Sequence, residues 1–313
     1  MNDGPVRIGF FGTPDVAATC LQALATDGRF EVALVVTNPD RPAGRGRRSR
    51  PGPVKATAQE LGVPVLQPDR ASEAVDDVRA AGLDMAAVVA YGSLLAAPML
   101  AATNLGFVNL HFSLLPRWRG AAPVQHAIRA GDATTGVTAF LLDEGMDTGP
   151  ILRAASTAIE PRETAGSLLE RLTDLGTPVL ADALRARANG EEGVPQPTDG
   201  ATLAPKVTLA DVAIDWSRAG LEIDRLCRSA DPRPGAHTQF RGESIKVFGA
   251  HPIAAAGEPG TIVELTDEGP VVACGSGGVR LEAVQPAGRG RMSGRDFANG
   301  RRLERGEAFG TTS

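Results

Sequence analysis

Short β-rich apolar runs alternate with helical stretches through the first 160 residues, and this alternation restricts the fold more than any other feature of the chain. Arg7–Phe11, Glu31–Thr37, Asp84–Ala90, Gly106–Phe112 and Thr135–Leu142 read as strands; Ala17–Ala25, Val54–Leu61 and Ala121–Arg129 read as helices. The pattern predicts a doubly wound, mostly parallel α/β sheet with helices on both faces, and ligands beyond the carboxyl ends of its strands. A helix from about Glu163 to Arg187 closes this domain. The Gly/Pro-rich stretch Asn189–Gly200 marks a boundary, so a domain over 1–189 and a linker over 190–207 are expected. From 208 to 313 the texture changes. One amphipathic helix near Arg218–Arg228 precedes short alternating segments (SIKVFGAHPI, GTIVEL, GPVVACG, GGVRLEAVQ) with Gly-containing turns between them, the spacing of a small β-barrel.

With 313 residues, 42% of them hydrophobic and 22% charged, the chain can bury two sizeable cores. Its net charge of −5 excludes a whole-molecule basic field, so any contact with nucleic acid must be local. Two local concentrations exist. Asp40–Lys55 holds six bases against one acid, and Pro286–Arg305 holds six Arg against Asp296 and Glu304, which leaves −14 on the rest of the chain. Basic clusters on so acidic a background suit docking of phosphates.

The uncharged run Met85–Pro116 is longer than the ~20 residues that span a bilayer. Gly92, Pro98, Asn104, Gly106, Asn109 and His111 interrupt it, so it reads as two buried strands around a short helix, with no membrane partner. Cys20, Cys227 and Cys274 are odd in number and far apart, fitting neither a disulfide framework nor a metal site. The N-terminal MNDGPVRIGF carries no secretory signature, and a cytoplasmic monomer is expected. In IGFFGTPDVA, Gly9 lies inside the strand and only Gly12 marks the turn, so a dinucleotide fingerprint fails. GxxxxGK[ST], HExxH and GxSxG are likewise missing from the sequence.

The chemistry concentrates in FVNLHFSLLPRWRGAAP, Phe107–Pro123. Alternation on a strand places Asn109, His111 and Ser113 on one face, opposite Val108, Leu110 and Phe112. A strand buried in a parallel sheet is apolar on both faces, so this polar face must border a cavity or satisfied partners. An amide donor beside an imidazole at a strand end suits stabilisation of an oxyanion. Downstream, LLDEGMDTGPIL puts Asp143, Glu144 and Asp147 in a turn after another strand; Asp143 and Glu144 read as turn formers, while Asp147 is placed to orient His111 and keep it protonated. Ser113 as nucleophile with His111 as base would need a bend, because residues two apart on one face are separated by nearly 7 Å of rise, twice ~3.3 Å. Asn, His and Asp without an activated Ser or Cys point to acyl transfer by direct attack of the substrate's own nucleophile.

On these residues the chain resembles the methionyl-tRNA formyltransferase family. The shared segments are FGTPDVA (Phe11–Ala17), TNPDRPAGRG (Thr37–Gly46), PVK (Pro53–Lys55), NLHFSLLPRWRGAAP (Asn109–Pro123), LDEGMDTGPI (Leu142–Ile151), AIDW (Ala213–Trp216), PGA (Pro234–Ala236) and LEAVQPAGRGRMSGRDFANG. The resemblance implies formyl transfer from 10-formyltetrahydrofolate to the amino group of initiator methionyl-tRNA, without a metal. It implies a Rossmann-like catalytic domain with Asn109, His111 and Asp147 catalytic, and Ser113, Leu114, Leu115 and Pro116 in a folate-contacting turn with Tyr91. It implies Arg41, Arg45 and Lys206 at the tRNA acceptor end and an OB-like barrel over 208–313. Where the family usually carries aromatics this chain has Ala230 and Arg233. NLHFSLLP and MDTG also mark other formyl-folate enzymes, so a small-amine acceptor and a non-catalytic tRNA-binding module stand as alternatives.

Overall fold

The computed structural model describes residues 4–40 and 50–310. The chain divides into two compact units, one of Met1–Pro123, Thr134–Ala158 and Leu169–Ala204, the other of Val124–Ala133, Ile159–Leu168 and Pro205–Ser313.

The first unit is built on a seven-stranded mixed sheet. In chain order its elements are β1 (Val6–Gly12), α1 (Asp15–Thr26), β2 (Phe30–Val36), α2 (Pro53–Glu60), β3 (Val65–Leu66), α3 (Val75–Ala80), β4 (Met85–Val89), α4 (Ala97–Leu100), β5 (Phe107–His111), α5 (Pro123–Ala130, nearly all of it in the second unit), β6 (Thr134–Leu141), β7 (Ile151–Ala158) and α6 (Ala165–Ala188, its first turn in the second unit). The sheet order is β3-β2-β1-β4-β5-β6-β7. The pairs from β3 to β5 are parallel, and β6 and β7 continue antiparallel. The chain therefore winds outward from β1 in both directions, with the switch point between β1 and β4.

Side-chain alternation sorts the sheet's two faces. Phe11, Leu34, Val36, Ala86, Val88 and Phe107 pack in one cluster with Val75 and Val78 of α3 and Met99 of α4. On the opposite face Gly176 of α6 lies directly on Leu110 and Val137, and Cys20 of α1 touches Thr177 of α6 (Sγ to Oγ1 3.3 Å). Asn109 and His111 share the parity of Phe107, which puts them on the α3/α4 face. Local signals agree with the helices: Asp15 stands in the first turn of α1, where the helix dipole favours an acid, and Pro53 opens α2 where its missing N–H costs nothing. The uncharged run resolves into β4, α4 and β5, and no helix among the described residues is long and apolar enough to cross a membrane. Three elements escape the periodicity reading, the two-residue edge strand β3 among them. α3 is short and follows a 3-10 turn at Ala71–Ala74, and the edge strand β7 (ILRAASTA) is too weakly apolar to announce itself.

The segment expected as a linker is hydrogen-bonded back into the first unit as far as Ala204: Val194 exchanges bonds of 2.8 Å with Ile151, and Thr202 and Ala204 bond the loop after β5.

The second unit contains α7 (Gly220–Ala230), β8 (Ala236–Phe240), β9 (Glu243–Ile253), β10 (Ile262–Thr266), β11 (Gly269–Ala273), β12 (Gly278–Pro286), β13 (Met292–Ser293), α8 (Gly294–Arg301) and β14 (Phe309–Gly310). The strands run antiparallel in the order β10-β11-β12-β9-β8-β14, with β13 on β12. Bonds from Ile262 N to Glu307 O (2.7 Å) and from Phe309 N to Gly260 O (2.8 Å) join the first strand of this sheet to the last and close a barrel. Trp216, Phe240, Phe297 and Phe309 fill it together with Ile223, Leu226 and Cys227 of α7. Ala230 is fully buried in this core, and Arg233 is exposed.

Candidate active site

Beyond the carboxyl ends of β4 and β5, next to the switch point, lies a cavity of about 460 Å³. Ala90–Leu95 line it from the segment after β4, Asn109–Phe112 from β5 and its end, Gly120 and Ala121 from the following loop, and Leu142, Asp143 and Gly145–Asp147 from the turn after β6. The structure thus brings Asn109, His111, Asp147 and Tyr91 to one cavity. β5 can deliver the first two because β4 and β6 pair with it on both edges.

The Asn109 amide is half-buried, lines the cavity and makes no hydrogen bond to the described residues. Its N–H groups are thus unspent. His111 is 5% exposed, with Phe140 edge-on at 6.5 Å. Its Nε2 lies 2.8 Å from the Trp118 carbonyl oxygen, an acceptor only, so Nε2 carries the proton and Nδ1 is the free base. Nδ1 is 3.6 Å from Asp147 Oδ2, which accepts the Gly120 N–H at 2.8 Å.

The structure corrects the expectation that Asp147 keeps His111 protonated. Burial lowers the pKa of His111 below 6.5 and outweighs both the Asp147 carboxylate and the Trp118 carbonyl, which pull it upward. The imidazole is neutral at pH 7.

Ser113 departs from the shared face. β5 ends at His111, and the Ser113 hydroxyl donates to the Arg117 carbonyl at 2.6 Å, while Thr138 Oγ1 donates to the Ser113 carbonyl and accepts the Leu115 N–H. These bonds fold the turn, and Ser113, Leu114, Leu115 and Pro116 shape it without lining the cavity. The Tyr91 hydroxyl is buried without a hydrogen-bond partner among the described residues, burial raises its pKa, and its ring stands edge-on to Phe11 at 5.5 Å.

A second cavity of about 380 Å³ shares Ser93 and Leu94 with the first. Ala71, Val75 and Met99 form its apolar floor, and Asp69 and Arg70 stand on its rim. Leu94, 80% exposed, lines both. Sequence reasoning missed this neighbour, since its lining comes from two short helices without a pattern of their own.

Arg41 and Arg45 lie outside the described residues; Lys206 is exposed at the start of the second unit's last segment. Lys55 is committed to Asp40 at 2.6 Å, and Gly52 N–H to the same carboxylate at 3.2 Å. In the second basic cluster Arg291 is paired with Asp231 and Arg301 with Glu243; Arg289, Arg295, Arg302 and Arg305 carry no ion pair among the described residues. Among the described residues no cluster of three His, Cys, Asp or Glu side chains is placed to hold a metal ion.

The sequence matches the family described as Formyl transferase over residues 6–184, and Formyl transferase, C-terminal domain, over 206–302. It is 45% identical to the methionyl-tRNA formyltransferase of Streptomyces griseus over 97% of this chain and 100% of that one. It is 43% identical to that of Aromatoleum aromaticum over 99% and 98%. Among solved structures, HypX from Aquifex aeolicus in complex with tetrahydrofolic acid shares the fold at a TM-score of 0.66 and 17% identity, over 98% of this chain. This chain spans about half the length of that one, 50%.

Proposed function

The chain belongs to the methionyl-tRNA formyltransferase family, and on that premise we propose that it transfers a formyl group from 10-formyltetrahydrofolate to the α-amino group of initiator methionyl-tRNA, as a cytoplasmic monomer. The observation that carries the reading is the convergence on one cavity of an unspent amide, Asn109, and a neutral imidazole with a free Nδ1, His111, backed by Asp147. Three buried free thiols suit a reducing compartment; burial pushes Cys20 and Cys274 up to about 11.

Attack of the amine on the formyl carbon forms a C–N bond and leaves an oxyanion, to which the Asn109 amide donates. His111 Nδ1 takes the proton that the attacking nitrogen must lose, and Asp147 at 3.6 Å steadies the resulting imidazolium. His111 then returns this proton to the departing folate nitrogen as the old C–N bond breaks, so proton and charge balance and no covalent enzyme intermediate forms. Tyr91 contributes to the wall of the cavity that would take the folate. The decisive experiment incubates purified protein with labelled formyl-folate and methionyl-tRNA and looks for label on the aminoacyl end; label appearing instead on a small amine, or tight tRNA binding without transfer, would remove the reading.

The second cavity would take the aminobenzoyl ring against Leu94 and Met99 and a glutamate carboxylate at Arg70, whose guanidinium has no ion pair among the described residues. Arg70→Ala should raise KM for the folate about three- to fivefold, as befits an exposed group, with kcat unchanged; steady-state kinetics at saturating tRNA checks it. The double variant of Arg41→Ala and Arg45→Ala should weaken tRNA use and flatten its salt dependence, the slope falling by about 0.7 to 0.9 for each phosphate no longer neutralised. Folate KM should not move, and unchanged tRNA kinetics across a salt series would take these two residues out of the interface.

A further inference from the structure

Two residues that carry no reacting atom hold the two catalytic loops of this site. Trp118 (φ 64°) and Asp147 (φ 52°) are both in the left-handed region, which is unfavourable for a non-glycine residue and persists only where its surroundings over-determine it. The surroundings that do so come from the strap 196–204. Thr202 grips Trp118 from both sides: its Oγ1 accepts the Trp118 N–H and its carbonyl accepts the Arg119 N–H, each at 2.9 Å. The second of these peptide groups includes the Trp118 carbonyl that receives the His111 Nε2 proton. Gln196 Nε2 donates to the carbonyls of Asp147 (2.9 Å) and Gly149 (2.8 Å), while its Oε1 accepts from the Arg119 guanidinium at 2.7 and 3.1 Å. The strap lies so close that a Cβ on Gly120, at φ 122°, would stand 2.7 Å from the Ala204 carbonyl oxygen.

We propose that Gln196 and Thr202 are positioning residues for formyl transfer: Thr202 sets the carbonyl that fixes the His111 tautomer, and Gln196 sets the backbone from which Asp147 reaches Nδ1. The inference rests on the proposed reading of the site. Its test compares Thr202→Val, which keeps the shape and loses the acceptor, with Thr202→Ser, which keeps the hydroxyl. Gln196→Glu retains the acceptor for Arg119 but puts a carboxylate against two carbonyls.

In Thr202→Val and Gln196→Glu, kcat should fall roughly ten- to a hundredfold, the scale of a small misplacement of reacting groups, with folate KM within about twofold of the wild type and the melting temperature little changed. Thr202→Ser should restore kcat. The acid limb of kcat/KM in Thr202→Val should move to lower pH, because the Trp118 carbonyl favours the proton on His111; a role in folding alone would lower the melting temperature and leave that limb in place. Should Thr202→Val not fold, Gln196→Glu decides, since Gln196 is only half-buried. Wild-type kcat and pH profile in both variants, or a Thr202→Ser as impaired as Thr202→Val, would overturn the inference. An inactive wild type would instead sink the formyl-transfer reading itself.

Discussion

Asn109→Ala should reduce kcat for formylation by two to three orders of magnitude, about 3 to 4 kcal/mol of transition-state stabilisation, the scale for losing one donor to an oxyanion. The size follows from the site: the amide is half-buried at the end of β5, and no other side chain bonds it in the described structure. Its removal costs little in the ground state because no internal hydrogen bond is broken. KM for the folate should therefore change far less than kcat. Asn109→Asp is the sharper control, since it keeps the volume, removes both donors and places a negative charge beside the developing one. Single-turnover measurements with labelled formyl donor read the chemical step directly. Near-normal rates in either variant would remove Asn109 from the reaction.

The second large effect concerns His111. Its replacement by Ala should lower kcat/KM by about 10²- to 10⁴-fold, the range for loss of a positioned general base. The pH profile carries the more specific signature. Burial holds the His111 pKa below 6.5, so the base remains neutral past the ordinary histidine value, and the acid limb of kcat/KM in the wild type should lie below 6.5. That limb should vanish in the variant. Stability follows the same sign. Above 6.5 both folded and unfolded chains hold the imidazole neutral and the fold loses nothing. As the pH falls through 6.5 toward the lower folded value, the unfolded chain takes up the proton first and stability declines. His111→Ala should therefore flatten the dependence of the melting temperature on pH in this window. An imidazole of His111 that titrates above 6.5 by NMR in the wild type would contradict a buried neutral base.

How much of this was legible in the sequence depends on what kind of order each feature uses. Period-two alternation put Asn109 and His111 on one face, and the sheet carries them to the cavity as a strand must. The same rule failed two residues later at Ser113. There a side-chain bond to the Arg117 carbonyl replaces the strand ladder, and alternation says nothing about a turn. Asp147 was recognisable by chemistry and loop position. Its partner's charge state was not, because the cost of burying His111 depends on Phe140 and the rest of a packed wall, which composition does not encode. Gln196 and Thr202 were hidden most thoroughly. They sit in NGEEGVPQPTDGATLA, whose Gly and Pro content describes a boundary between domains, while their function arises from irregular long-range bonds that leave no period.

The closure of the barrel by β14 bears on how the protein is made. All strands of the first unit's sheet are synthesised once Ala158 has been added, and its strap by Ala204, so that unit can fold while later codons are still being read. The second unit has no such freedom. Phe309 stacks on Phe240 at 4.7 Å and lies 5.6 Å from Trp216, and the Glu307–Phe309 bonds seal the opposite edge, so more than ninety residues leave the ribosome before their core can be completed. The two units therefore complete their cores at different points of synthesis, the second only when its final strand has been added.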